Sequence, residues 1–132
     1  MKKVLVVDDD EIILMTVSLK LQGAGYKVFT ALDGAQAVAI ARTESPDLIL
    51  LDLTFPPAVD GVPWDGFRVM EWFHRLDAAK KIPIIIITGS NDPRYKVRAA
   101  SSGAVAYFHK PIDHDDLLKV IHTTIGEATS PA

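Results

Sequence analysis

The sequence contains no cysteine in its 132 residues, which excludes disulfides, thiolate metal sites and a cysteine nucleophile. No apolar run approaches the roughly 20 residues of a membrane span. The apolar run at the N-terminus is only four residues long before three acids begin, too short for the core of a signal peptide. Basic residues are not in excess either, since 14 Lys and Arg face 17 Asp and Glu. These absences predict a cytoplasmic protein that neither enters a membrane nor binds nucleic acid directly.

The composition is that of an ordinary globular domain, with 48% hydrophobic and 23% charged residues. The length suits one domain with one core. We therefore predict a single domain over residues 1–127. The small, polar residues 128–132 are predicted to form a flexible tail.

The central stretch of the sequence is Leu48-Ile49-Leu50-Leu51, bounded by Asp47 and Asp52. An apolar run this short indicates a strand buried on both faces, the kind found in parallel sheets. Asp52 would then stand at the carboxyl end of that strand. In open α/β sheets, ligands bind at this end.

Strand and helix patterns alternate five times along the chain. Strands are predicted at residues 3–7, 26–30, 48–52, 82–87 and 104–108, and helices at 11–22, from 34 onward, at 66–76, 93–103 and 113–126. Asp10 and Asp92 are predicted N-caps, and in the second helix Ala35, Val38 and Ala39 are expected to face the core. This alternation predicts a five-stranded parallel sheet with helices on both faces.

Polar residues that could bind a ligand or take part in a reaction follow the predicted strands. They are Asp8 and Asp9 after the first strand, Asp52 after the third, Thr88 after the fourth and Lys110 after the fifth. Because the carboxyl ends of parallel strands share one edge, these side chains are expected to converge. Three carboxylates repel one another and need a cation, and hard oxygen ligands suit Mg²⁺. A carboxylate, a divalent ion, a hydroxyl and a lysine can together handle a phosphoryl group.

These residues lie in motifs that resemble the receiver domain of two-component response regulators, similar to the chemotaxis regulators. The motifs are Val6-Val7-Asp8-Asp9, Leu50-Leu51-Asp52-Leu53, Pro56, Asp65-Gly66-Phe67, Ile87-Thr88-Gly89, Ser102-Gly103-Ala104 and Tyr107-Phe108-His109-Lys110-Pro111-Ile112. The resemblance implies a doubly wound, flavodoxin-like sheet of order 2-1-3-4-5.

The resemblance also implies a function for the strand ends. Asp52 would be the phosphoacceptor, taking a phosphoryl group from a histidine kinase or a histidine phosphotransfer protein. Asp8, Asp9 and Asp52 would bind Mg²⁺ with the backbone carbonyl of Thr54. The domain would be a signalling module, not an enzyme, that assists its own phosphoryl transfer and autodephosphorylation.

The resemblance also implies a conformational switch in which three more residues take part. Thr88 would hydrogen-bond the phosphoryl group, and Lys110 would pair with it, next to a cis peptide bond to Pro111. Tyr107 would turn inward when Thr88 moves. The surface formed by the fourth helix, the fifth strand and the fifth helix would change shape as a result.

The sequence also departs from the family pattern. About six extra residues around Pro57 to Pro63, flanked by Phe55 and Trp64, lengthen the loop after the third strand. Ala106 and the pair Asp115-Asp116 stand where DNA-binding regulators carry charges for dimerisation, so that network is expected to be absent. The four histidines, His74, His109, His114 and His122, have no metal-site spacing and are predicted at the surface, as are Arg94, Lys96 and Arg98.

Three alternatives stay open from the sequence. A phosphorylation-independent interaction module would normally lack part of the Asp, Thr and Lys set, which is complete here. A phosphohydrolase of the haloacid dehalogenase type would place an acid two residues after its nucleophile, where this chain has Thr54. A flavodoxin-like flavin binder would need a Ser/Thr-rich loop after the first strand, where three acids would repel a phosphate.

Overall fold

The computed structural model describes residues 2–52, 66–75, 81–89 and 93–126. Several predicted features lie outside these residues. They are the Thr54 carbonyl, the long loop with Phe55 and Trp64, the Asp92 cap, the tail at 128–132, and the side chains of Phe67 and Arg94.

Five parallel strands form one sheet in the order β2-β1-β3-β4-β5. The strands are β1 (Lys3–Val7), β2 (Lys27–Ala31), β3 (Leu48–Asp52), β4 (Ile84–Thr88) and β5 (Ala106–His109). This confirms the predicted fold class and strand order. β2, β4 and β5 begin one or two residues later than predicted, because pairing with a neighbouring strand sets where a strand begins. The ladder between β3 and β4, for example, begins at Ile49 opposite Ile84.

Helices connect the strands and cover both faces of the sheet. They are α1 (Glu11–Gly23), α2 (Gly34–Glu44), α3 (Gly66–Arg75), α4 (Pro93–Ser101) and α5 (His114–Ile125). Asp10 caps α1 as predicted, since its carboxylate accepts hydrogen bonds from the backbone N–H groups of Ile12 and Ile13. Among the helices of the described residues, none is long and apolar enough to cross a membrane.

The sheet separates two hydrophobic clusters, because successive strand residues point to opposite faces. One cluster packs beneath α2, α3 and α4 and includes Leu5, Ile49, Ile86, Ala37, Phe73 and Ala99. The other packs beneath α1 and α5 and includes Val4, Leu50, Ile85, Leu14, Leu21, Leu117 and Ile121. β3 and β4 are buried along their whole length, as their uninterrupted apolar sequences predict.

The predicted buried face of α2 was wrong. Ala35 and Ala39 are exposed, whereas Ala37 and Ala41 are fully buried and Val38 is half-buried. Small apolar residues occupy every side of this helix, so the spacing of apolar residues alone does not determine which side packs against the sheet.

The histidine prediction holds for three of the four residues. His74, His109 and His122 are exposed, but His114 is half-buried, where it lines a cavity between α1 and the loop after β5.

Candidate functional site

The carboxyl ends of four strands meet at one edge of the sheet and bring polar side chains together. Asp52 and Thr88 are the last residues of β3 and β4. Asp8 directly follows β1, and Lys110 directly follows β5. These residues are up to about 100 positions apart in sequence and become neighbours because all the strands are parallel.

Three carboxylates form an acidic cluster at this edge. One oxygen from each of Asp8, Asp9 and Asp52 lies within 4.8 Å of the other two. Asp8 and Asp52 are only 2% and 1% exposed, whereas Asp9 is exposed. The cluster therefore has two buried acids at its base and one acid at the solvent boundary.

Lys110 joins the two buried acids. Its Nζ lies 3.0 Å from Asp8 Oδ2 and 3.2 Å from Asp52 Oδ2. The Lys110 N–H donates to the Thr88 carbonyl at 2.8 Å, which fixes the start of its side chain beside β4. The Lys110–Pro111 peptide bond is cis, as the resemblance implies.

The acids around Lys110 control its protonation. Burial lowers the pKa of the Lys110 ammonium, but the hydrogen bond to Asp8 and the charges of Asp52 and Asp8 outweigh that effect. The net result is a pKa above the ordinary lysine value. The ammonium is therefore charged at neutral pH.

The start of α1 orients Asp8. The Asp10 N–H donates to Asp8 Oδ1 at 2.9 Å, and the Asp8 N–H donates to the Ala31 carbonyl at 3.1 Å. Both oxygens of the Asp8 carboxylate are therefore engaged, one by the backbone of α1 and the other by Lys110.

The exposed acid of the cluster, Asp9, has a raised pKa. Partial desolvation of the carboxyl is the larger cause, and hydrogen bonding to Asp8 and repulsion by its charge add to it. The charge of Asp8 therefore changes the Asp9 pKa in the same direction as burial does. A cation that approaches from solvent would meet Asp9 first.

Thr88 and Tyr107 lie on the same face of the sheet, on neighbouring strands. Thr88 is fully buried, and Tyr107 is half-buried against the cluster beneath α2, α3 and α4. Thr88 pairs with His109, and Ile86 pairs with Tyr107, so Thr88 and Tyr107 are offset by two residues along the ladder.

The donor set fits a hard divalent cation. Carboxylate oxygens are the ligands that Mg²⁺ prefers, and the exposed side of the cluster leaves room for the waters that Mg²⁺ retains. The prediction that Asp8, Asp9 and Asp52 lie close together is confirmed. The ion pairs that Lys110 makes with Asp8 and Asp52 were not predicted from the sequence. These ion pairs could have been predicted, because carboxylates that are buried at a sheet edge need a nearby cation.

This chain is similar in sequence to a known protein family and to several of its members. A family model described as "Response regulator receiver domain" matches residues 4–122. The chain is 31% identical over 126 residues to protein PilH of Pseudomonas aeruginosa, covering 96% of this chain and 99% of PilH. It is 36% identical over 118 residues to the DNA-binding dual master transcriptional regulator RpaA of Synechocystis sp., of which it spans only 46%.

Solved structures give the same result. Chemotaxis protein CheY4 of Vibrio cholerae superposes with a TM-score of 0.83 at 34% identity, covering 94% of this chain and 98% of that one. The receiver domain of a sensor histidine kinase of Pseudomonas aeruginosa has a TM-score of 0.81 at 25% identity, covering 96% and 98%. That structure is described with a magnesium ion coordinated in its active-site cleft.

Proposed function

This chain belongs to the response regulator receiver domain family of two-component systems, and on that premise we propose that Asp52 is its phosphoacceptor. Receiver domains are signalling domains that interact with histidine kinases or phosphotransfer proteins. For this chain, we propose that the phosphoryl group comes from a phosphohistidine of such a protein, and that residues 1–127 form the receiver.

One observation carries the proposal: Asp52 is a buried carboxylate with a charged lysine at 3.2 Å and two further acids beside it. A carboxylate oxygen of Asp52 would attack phosphorus. The new O–P bond would form as the P–N bond to the donor histidine breaks, and the imidazole would leave. Lys110 would neutralise negative charge on the phosphoryl oxygens during this step.

We propose Asp8, Asp9 and Asp52, with the Thr54 carbonyl, as the residues that hold Mg²⁺. When bound, the ion would neutralise the acids and the incoming phosphoryl oxygens. The donor chemistry of the cluster supports this assignment, as does the magnesium ion in the similar kinase receiver domain.

Thr88 and Tyr107 would carry the signal away from Asp52. A phosphoryl group on Asp52 would offer new acceptor oxygens to the Thr88 hydroxyl, which ends the neighbouring strand. Movement of Thr88 would open space on the same face of the sheet, and Tyr107 would fill it. The surface of α4, β5 and α5 would then shift. Because the phosphoryl group contacts Thr88 in one state only, it can bias this two-state equilibrium.

The experiment that tests the proposal is intact-mass measurement after incubation with phosphoramidate and Mg²⁺. Wild-type protein is expected to gain one phosphoryl group, and Asp52→Asn none. Asp47→Asn is the matched control, because Asp47 immediately precedes the other end of β3 and accepts a hydrogen bond from the Lys3 backbone. Equal labelling of Asp52→Asn, or full labelling in excess EDTA, would contradict the proposal.

A further inference from the structure

The carboxyl end of α5 is bonded to the turn that connects α1 with β2. The Tyr26 hydroxyl donates to the Gly126 carbonyl at 2.9 Å, across 100 residues of sequence. We propose that this bond anchors α5, so that the switch at Thr88 moves α4 and β5 past a helix that stays in place. The inference rests on the proposed phosphoacceptor and its switch, and it adds which elements respond.

Both partners of this hydrogen bond have fixed positions. Tyr26 immediately precedes β2, is only 5% exposed and packs in the cluster beneath α1 and α5. Its backbone N–H donates to the Leu21 carbonyl at 3.1 Å, which ties it to α1. Gly126 caps α5, and its N–H donates to the His122 carbonyl at 2.9 Å. The Tyr26 hydroxyl therefore joins the last turn of α5 to a well-fixed part of the backbone.

The rest of α5 is also packed firmly. Leu117 and Ile121 are almost fully buried in the cluster that α5 shares with α1. Near the amino end of α5, Asp115 pairs with Lys20 of α1 at 3.2 Å. That ion pair is exposed, and exposed ion pairs contribute little to stability. The buried bond from Tyr26 is therefore the polar contact that we expect to hold α5 in place.

The fourth helix is packed much less firmly. Of the α4 side chains that the structure describes, only Ala99 is buried, and Val97 is 71% exposed. The neighbouring strand β5 has no fully buried residue. Elements with few buried contacts open and move at a low free-energy cost. Displacing α4 should therefore cost less than displacing α5.

The switch residues face the side of the sheet that carries α4. Tyr107 packs against the cluster beneath α2, α3 and α4. Thr88 faces the same side as Ile84 and Ile86 of that cluster, because alternate residues of a strand share a face. The fifth helix covers the opposite face. A movement of Thr88 and Tyr107 would therefore reach α4 directly and α5 only through the sheet.

The first test compares the backbone amide chemical shifts of wild-type protein with and without beryllofluoride and Mg²⁺. We expect large changes in α4 and in residues 104–109, and much smaller changes in residues 117–125. Residues 114–116 are left out of the comparison because they follow Lys110 closely. In the resting protein, the amides of α4 should also exchange with solvent faster than those in the interior of α5.

The second test removes the anchor. Tyr26→Phe keeps the ring and deletes the hydroxyl, so amide exchange at residues 122–125 should become about tenfold faster relative to the amides of β3, which report global unfolding. Beryllofluoride should then change the shifts of residues 117–125 more than in wild type. Thr124→Val is the matched control, because the Thr124 hydroxyl lies at the same end of α5 but bonds within the helix, to the Val120 carbonyl at 2.7 Å. Its relative exchange should change less than about twofold.

The outcomes separate this inference from the proposed function. If beryllofluoride changes no amide shift, both the phosphoacceptor site and the inference are wrong. If residues 117–125 of wild type shift as strongly as α4, only the inference is overturned. Unchanged exchange at residues 122–125 in Tyr26→Phe, or an equal increase in Thr124→Val, would also overturn it. The wild-type comparison decides the matter even if Tyr26→Phe fails to fold.

Discussion

Three consecutive acids precede α1, and in the structure Asp10 has a different role from Asp8 and Asp9. Its Oδ1 accepts the Ile12 N–H at 2.9 Å and the Ile13 N–H at 3.4 Å, so its side chain caps the helix. Removing such a cap costs about 1 kcal/mol. A chain of about 130 residues has an unfolding entropy of roughly 0.28 kcal/mol per kelvin, so Asp10→Ala should lower the melting temperature by about 4 °C.

Variants at the neighbouring acids separate stability from metal binding. Asp10→Asn keeps the acceptor oxygen and should restore most of the lost stability, apart from the smaller contribution of the charge near the helix N-terminus. Asp10→Ala should bind Mg²⁺ like wild type, whereas Asp9→Ala should bind it much more weakly without losing the cap. Thermal melts and Mg²⁺ titrations of the three variants provide the comparison. Equal loss of Mg²⁺ affinity in Asp10→Ala and Asp9→Ala would refute the reasoning.

Two further predictions concern Lys110 and Thr88. The raised pKa of Lys110 means that its ion pairs stabilise the metal-free fold fully below the ordinary lysine pKa and are lost as pH rises through the higher folded value. In denaturant titrations, the unfolding free energy of wild type should therefore exceed that of Lys110→Met by about 3 kcal/mol at neutral pH. This difference should shrink above about pH 10.4. A difference that stays constant up to about pH 12 would contradict the assigned role of the Lys110 ion pairs. Thr88→Ala should still accept phosphoryl, but beryllofluoride should shift the amides of residues 104–108 less than in wild type. Equal shifts would show that Thr88 and Tyr107 are not coupled.

The sheet could be predicted well from the sequence because its central strands are almost uniformly apolar. The buried strands β3 and β4 consist almost entirely of apolar residues, so their existence follows from composition. Their exact ends do not, because a strand begins where its neighbour offers a partner. β5, for example, begins at Ala106, which lies opposite Ile85 of β4.

The second helix shows where the pattern of apolar residues is insufficient. The segment from Gly34 to Ala41 contains one polar residue, Gln36, so several faces are equally apolar. Contact with α3 and β2 selects the face with Ala37 and Ala41, and those contacts depend on residues far away in sequence.

Part of the candidate site could likewise be predicted from the sequence, and part of it could not. Parallel strands were enough to predict that Asp8, Asp52, Thr88 and Lys110 meet at one edge. They were not enough to predict that Lys110 bonds to Asp8 as well as Asp52, because that contact depends on side-chain direction after β5.

The central claim is that Asp52 itself receives the phosphoryl group, and chemical trapping tests this most directly. Protein treated with phosphoramidate and Mg²⁺ is reduced with borohydride, which converts an aspartyl phosphate to homoserine, and the peptides are sequenced by mass spectrometry. Homoserine is expected at position 52 and at no other aspartate. Homoserine at Asp8 or Asp9, or its absence from protein that carries the phosphoryl group, would contradict it.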